Sequence, residues 1–267
     1  MYNTYISSDT TFSGCGRISK YYHLVVDFCI PLFFHSRGDS VTVHVPEHLT
    51  MNPTVNIEDY PEDYQSPGNL SNDRMFEIIN YIFKDIKFVP NHTNNHSDIW
   101  MKNDQKKQLT LPEYINVENY KLLKHSYHRG VWSNHPVCYY DTFREHINSL
   151  FSDDVVVSDV ITIVVRGENT SEPRTNQQKD HLHELYNMYT QQGQHVKMVD
   201  FAEMTFVDSI RLCRATKLLI TTHGAALSNI VFMKPGSTVH ELGHVQLPCF
   251  EILANQCGIN YKHITVI

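Results

Sequence analysis

Three short segments bring residue types capable of chemistry to places where an element must end or turn. In KLLITTHGAALSN (217 to 229) an apolar strand pattern runs into Thr221, Thr222 and His223, and Gly224, Ala225 and Ala226 then open a helical run. Small residues at a strand-to-helix turn let a ligand approach the backbone. The unpaired N–H groups of a helix start carry a positive partial charge, which suits a diphosphate or a developing anionic leaving group. Tight packing of helix on strand would select the same small residues, and His223 at the strand's end weighs for a site. Arg166 directly follows the strand pattern ITIVV, at the same edge of a sheet, and Arg174 lies in the following loop VRGENTSEPRTN. A guanidinium matches phosphate oxygens with paired donors; for either arginine the alternative is a solvated loop residue. Glu241 ends the strand pattern STVHEL, where a carboxylate can accept hydrogen bonds from the vicinal hydroxyls of a ribose. A helix-capping or surface acid is the other reading.

In the first half, YYHLVVDF places His23 and Asp27 four residues apart, hence on one helical face and close enough to interact. A carboxylate beside an imidazole can take a proton from a hydroxyl, and either residue could serve as the base. A helix-stabilising pair is the structural alternative.

The elements that must position these residues are legible from Val155 onward. VVVSDVITIVV (155 to 165) reads as a strand, and NQQKDHLHELYNMYTQQG as a helix stopped by Gly193. HVKMVD, helical VDSIRLCRAT, the strand KLLITTH, helical GAALSNIVFM, STVHEL, helical CFEILANQCG and YKHITVI continue the alternation. Strands alternating with helices predict βαβ units and a mostly parallel sheet, with ligands beyond the strands' carboxyl ends. The loops after Val165, Val199, Thr222 and Glu241 are therefore the expected site. Upstream, GRISKYYHLVVDFCIPLFF has helical spacing, VTVHV (41 to 45) alternates like a strand, and MFEIINYIFKDIKFV reads as a helix running into a strand. A second α/β domain follows from these. MNPTVNIEDYPEDYQSPGNLSND and PNHTNNHSD read as surface loops. The change of character at Ser149 to Asp154 sets a boundary between domains 1–150 and 151–267.

Composition narrows the function classes. Apolar residues at 41% and charged residues at 19% describe a folded water-soluble chain. A net charge of −7 without clustered Lys and Arg excludes a nucleic-acid binder. Seventeen scattered histidines show no zinc spacing, and six cysteines without a CxxC pair read as reduced and structural. No stretch has membrane-spanning length and the first residues form no signal peptide, so a cytoplasmic protein, or a catalytic region excised from a longer one, is expected. No GxGxxG follows a strand, which disfavours a dinucleotide-dependent oxidoreductase.

Together these segments resemble glycosyltransferase family 61, whose signature ends a strand with HGA, continues in a small-residue helix and closes on PGS followed by an acidic residue. LCRATKLLITTHGAALSNIVFMKPGSTVHELG (212 to 243) follows that pattern over some thirty positions. VRGENTSEPRTNQQ resembles the family's arginine-containing loop, with a shorter basic run than is common there, and YYHLVVDFCIPLF its N-terminal Tyr-His and Asp helix. The resemblance implies a GT-B arrangement, two Rossmann-like domains facing a central cleft. It also implies inverting transfer from a UDP-sugar to a hydroxyl of a glycan or glycoprotein acceptor. Arg166 and the His223, Gly224 and Ala225 turn would lie at the diphosphate, Glu241 near the ribose or sugar, and His23 with Asp27 on the acceptor side. Inversion by single displacement needs one base, for which Asp27 is the choice, and electrostatic stabilisation of the leaving group. No DxD element with a metal-ligand context appears, Asp153 and Asp154 reading as a boundary loop. No metal or other cofactor is expected, the UDP-sugar being a co-substrate. UDP-xylose is favoured over UDP-N-acetylglucosamine because a compact chain without a secretory signal differs from the family's luminal enzymes. The alternative is a catalytically silent nucleotide-sugar or glycan-binding module of the same fold.

Overall fold

The structure, a computed structural model, describes residues 2–5, 21–37, 40–46, 70, 72–91, 136–151, 159–166, 174–244 and 248–266. Most of the two anticipated loops after residue 50, Asp153 and Asp154, the strand start at 155 to 158 and loop residues 167 to 173 lie outside the described residues. The chain divides into two compact units, Met1–His135 and Pro136–Ile267. The helix Val137–Ser149 thus falls in the second unit, upstream of the break in sequence character at Ser149 to Asp154.

In the first unit, β1 (Tyr2–Tyr5) leads to a helix that is π-wound over His23–Cys29 and continues as α1 (Ile30–Ser36). Then come β2 (Val41–Pro46), α2 (Asn72–Ile82) and β3 (Ile86–Asn91), the strands forming a parallel sheet in the order β1-β2-β3. β1 is an element that the sequence pattern did not reveal. Leu24, Val25, Val26, Cys29, Ile30 and Leu32 are all fully buried, as a helix apolar on nearly every side must be. Met75, Ile78, Ile79 and Ile82 repeat at three- and four-residue steps and give α2 its buried face.

The second unit runs α3 (Val137–Ser149), β4 (Val160–Val164), α4 (Arg174–Gln191), β5 (Val196–Val199), α5 (Phe206–Ala215), β6 (Thr216–Thr222), a 3-10 segment (Ala225–Phe232), β7 (Thr238–Gly243), α6 (Pro248–Gln256) and β8 (Asn260–Thr265). Among the described residues its sheet has five strands, all parallel, in the order β5-β4-β6-β7-β8. Ile161, Ile163, Ile220 and Leu242 point to one face and bury Leu182 of α4 among them; the alternate residues, Thr221, Glu241 and Tyr261 included, belong to the other. Helix α4 ends as expected at Gly193 (φ 70°), where Gln194 N–H reaches the Tyr189 carbonyl at 3.0 Å and Gly193 N–H that of Thr190 at 3.0 Å. Only a residue without Cβ takes that left-handed φ cheaply.

Two local expectations change. Arg174 is not a loop residue: α4 opens at Arg174, one position after Pro173, a residue type that helices accept at their start. The run after Gly224 is 3-10 rather than α-helical. It must return the chain along the length of β7 within a short crossover, and a 3-10 helix rises about 2.0 Å per residue against about 1.5 Å for an α-helix. Among the described residues Cys29, Cys138, Cys213, Cys249 and Cys257 form no disulfide, and all but Cys138 are buried. Burial raises the Cys29 and Cys213 thiols and pushes Cys257 up to about 12, so they behave as apolar filling.

Candidate functional site

The strand order of the second unit reverses between β4 and β6: the chain leaves β4 for the β5 edge, then returns to build the sheet on β4's other side. At such a reversal the connections depart on opposite faces and open a crevice at the strands' carboxyl ends. Arg166 follows β4 and His223 follows β6, so both stand at this place. They touch: Arg166 Nη2–H donates to the His223 carbonyl at 3.3 Å. Gly224, at φ 156°, lies under the same guanidinium, and a Cβ at that position would run into Arg166. The φ of Gly224 is one that residues with a Cβ rarely adopt, and its open face receives the end of the Arg166 side chain beside the N–H groups that open the 3-10 segment. Thr222, at the end of β6, Ala225 and Ala226 are half-buried around it.

Glu241 sits inside the second unit. Period-two alternation puts it on the face of β7 toward which β6 also directs His223. The carboxylate is completely buried, with Oε1 accepting from His223 Nδ1 at 2.6 Å and Oε2 from the Tyr261 hydroxyl at 2.7 Å. Val239, not Glu241, is the register partner of Tyr261, so the phenol reaches diagonally across the β7–β8 ladder. Burial first, and then the carboxylate that accepts its hydrogen, raise the Tyr261 pKa well above the ordinary phenol, so Tyr261 remains a donor. The Phe250 ring of α6 meets the His223 ring at 5.1 Å between centroids and 62°. With Nδ1 donating to a carboxylate, Nε2 of His223 has no hydrogen-bond partner among the described residues, and 29% of the side chain is exposed.

In the first unit, His23 Nδ1 bonds Asp27 Oδ2 at 2.7 Å, with the two side chains 11% and 14% exposed. The pair lies in the π-wound segment, whose end is marked by Ile30 N–H bonding the Val25 carbonyl. Such windings are rare and frequent at functional sites. Tyr22 packs edge-on against His23 at 5.2 Å and 87°. Oδ1 of Asp27 has no hydrogen-bond partner among the described residues, which leaves it the capacity to accept a proton.

Of the residues singled out from the sequence, Arg166, His223, Gly224 and Glu241 come together in one connected group, with Thr222 and Ala225 flanking it. Arg174 stands apart in sequence position at the start of α4, and His23 with Asp27 form their own pair in the other unit. Tyr261 was not anticipated. YKHITVI reads as a strand, but only the register of β8 on β7 brings its tyrosine to Glu241. Among the described residues no three His, Cys, Asp or Glu side chains cluster as a metal set, and no helix is long and apolar enough to cross a membrane. A family model described as Glycosyltransferase 61 matches residues 21–240, a span that holds both groups except Glu241 and Tyr261. No curated protein matches the chain significantly.

Proposed function

Since the chain belongs to glycosyltransferase family 61, we propose that it transfers a sugar, xylose in preference to N-acetylglucosamine, from a UDP-sugar to a hydroxyl of a glycan or glycoprotein. In this reading the enzyme is of GT-B type: the second unit binds the donor, and the first carries the acceptor side and the base. Transfer inverts the anomeric carbon in a single displacement. The base takes the hydroxyl proton, the acceptor oxygen bonds the anomeric carbon, and the bond to the diphosphate breaks with its electron pair passing to a phosphate oxygen. Arg166 and the N–H groups after Gly224 stabilise that charge, Thr222, His223 and Ala225 shape the turn around it, and Arg174 stands as an outer cation. Asp27 accepts the proton, and His23 orients it through the 2.7 Å bond.

The observation that supports this reading most strongly is the meeting of Arg166 with His223 and Gly224 at the reversal of strand order. A cation, a turn stripped of Cβ and a helix start converge there, which is what an anionic nucleotide requires. A thermal-shift series with UDP, UDP-xylose and UDP-N-acetylglucosamine tests it. A ligand at one hundred times its Kd stabilises the folded protein by about 2.7 kcal/mol. Arg166→Ala is expected to weaken UDP binding by roughly 1.5–3 kcal/mol through loss of a charge-assisted contact. No shift with any uridine nucleotide would overturn the donor assignment. UDP binding with neither transfer nor UDP-sugar hydrolysis would reduce the protein to a binding module.

A further inference from the structure

Resting on that donor-site reading, we propose that Glu241 and Tyr261 are positioning residues, a buried carboxylate and a half-buried phenol that fix His223 with hydrogen on Nδ1 and hold Nε2 toward the oxygen of the departing diphosphate. Glu241 then acts through His223 instead of touching a ribose hydroxyl. Its carboxylate is wholly buried, and each oxygen already accepts a hydrogen bond, one from His223 and one from Tyr261. The imidazole behind which the carboxylate sits is partly exposed, and its second nitrogen makes no hydrogen bond among the described residues. Phe250 sets the ring plane from α6, and Arg166 holds the same residue's carbonyl, so side chain and backbone of His223 are both fixed before any ligand arrives.

A buried carboxylate that accepts from Nδ1 orders the tautomer of the neutral ring and leaves Nε2 as the nitrogen that takes up a further proton. As imidazolium, His223 donates Nε2–H to the phosphate oxygen that gains the electron pair when the sugar bond breaks; the hydrogen bond strengthens as charge develops, and no proton need be transferred. Other ionisable groups among the described residues approach the pair. His263 is the register partner of Glu241 on β8, with a buried Nε2 that has no partner among the described residues. Cys249 and Glu251, on α6, act electrostatically on Tyr261, and Arg166 approaches from the end of β4.

The test is long-range proton–nitrogen NMR on the whole chain with labelled histidine, His223 being assigned by its loss in His223→Asn. The parent should show the neutral ring with hydrogen on Nδ1; hydrogen on Nε2 overturns the proposal without any variant having to fold. Glu241→Ala should release the tautomer, so that hydrogen on Nε2 becomes populated in the neutral ring, because Nδ1–H has lost its acceptor. Tyr261→Phe should loosen it less, since the carboxylate stays against Nδ1 but loses the donor on its other oxygen. An unchanged Nδ1–H tautomer in both variants overturns the proposal. These readings need no nucleotide. If UDP stabilises the parent and the tautomer stays put in the variants, the positioning role alone fails; if the tautomer changes and UDP does nothing, the donor reading alone fails.

Discussion

At the scale of single residues, the first unit carries its chemistry in one pair. The spacing of His23 and Asp27 already placed them on one helical face, and the structure supplies a 2.7 Å bond and side chains only 11% and 14% exposed. A helix-stabilising salt bridge at the surface would be more solvated and worth little. Oδ1 of Asp27 retains its lone pairs, so Asp27→Asn should keep the shape and remove the proton acceptor. Transfer should then fall by about 10²-fold or more, with UDP affinity unchanged. His23→Ala should cost less if the imidazole only orients the carboxylate. An Asp27→Asn protein that is folded by circular dichroism and transfers sugar at the parent rate would remove Asp27 from the base role.

At the scale of elements, the sheet of the second unit depends on helix α4 covering one face. Leu182 is 2% exposed among Ile161, Ile163, Ile220 and Leu242, whereas Met188 on the same helix is 39% exposed. Leu182→Ala removes buried methyl groups beneath the strands whose ends hold Arg166 and His223, and should destabilise the protein by about 2–5 kcal/mol. Met188→Ala should stay within about 0.5 kcal/mol of the parent. Urea unfolding of the two variants measures the contrast, and equal midpoints would show that α4 does not support the sheet. In the first unit the helical pattern of YYHLVVDFCIPLFF was plain in the sequence, but its π winding was not. Apolar periodicity reports that a face is buried and is too coarse to separate an i→i+4 from an i→i+5 bond.

At the scale of the whole molecule, the proposed GT-B reading assigns the donor groups to one unit and the base to the other. The leaving group is assigned to fixed protein charge, namely Arg166 and the backbone N–H groups after Gly224. Activity is therefore expected to persist in EDTA. Complete loss in EDTA with recovery on adding Mn²⁺ would transfer the leaving-group role to a bound cation.

The strands and α-helices from Val160 to Thr265, the stop at Gly193, and the His23, Asp27, Arg166 and His223 candidates were readable from local pattern, because periodicity, turn chemistry and residue type act over a few positions; the 3-10 winding after Gly224 was not. The Gly224 turn was readable as small, while the approach of the Arg166 guanidinium to it depends on β4 and β6 becoming neighbours, which brings together Arg166 and His223 from 57 residues apart. The order β5-β4-β6-β7-β8 is a property of crossovers and not of any segment, and only that order makes the ends of β4 and β6 one place. Glu241 shows the same division. Its position at the end of a strand came from the sequence, but whether it met solvent or the interior was decided by register: β8 set beside β7 brings the Tyr261 hydroxyl to one oxygen, β6 on the other side brings His223 to the second, and the carboxylate is sealed between them.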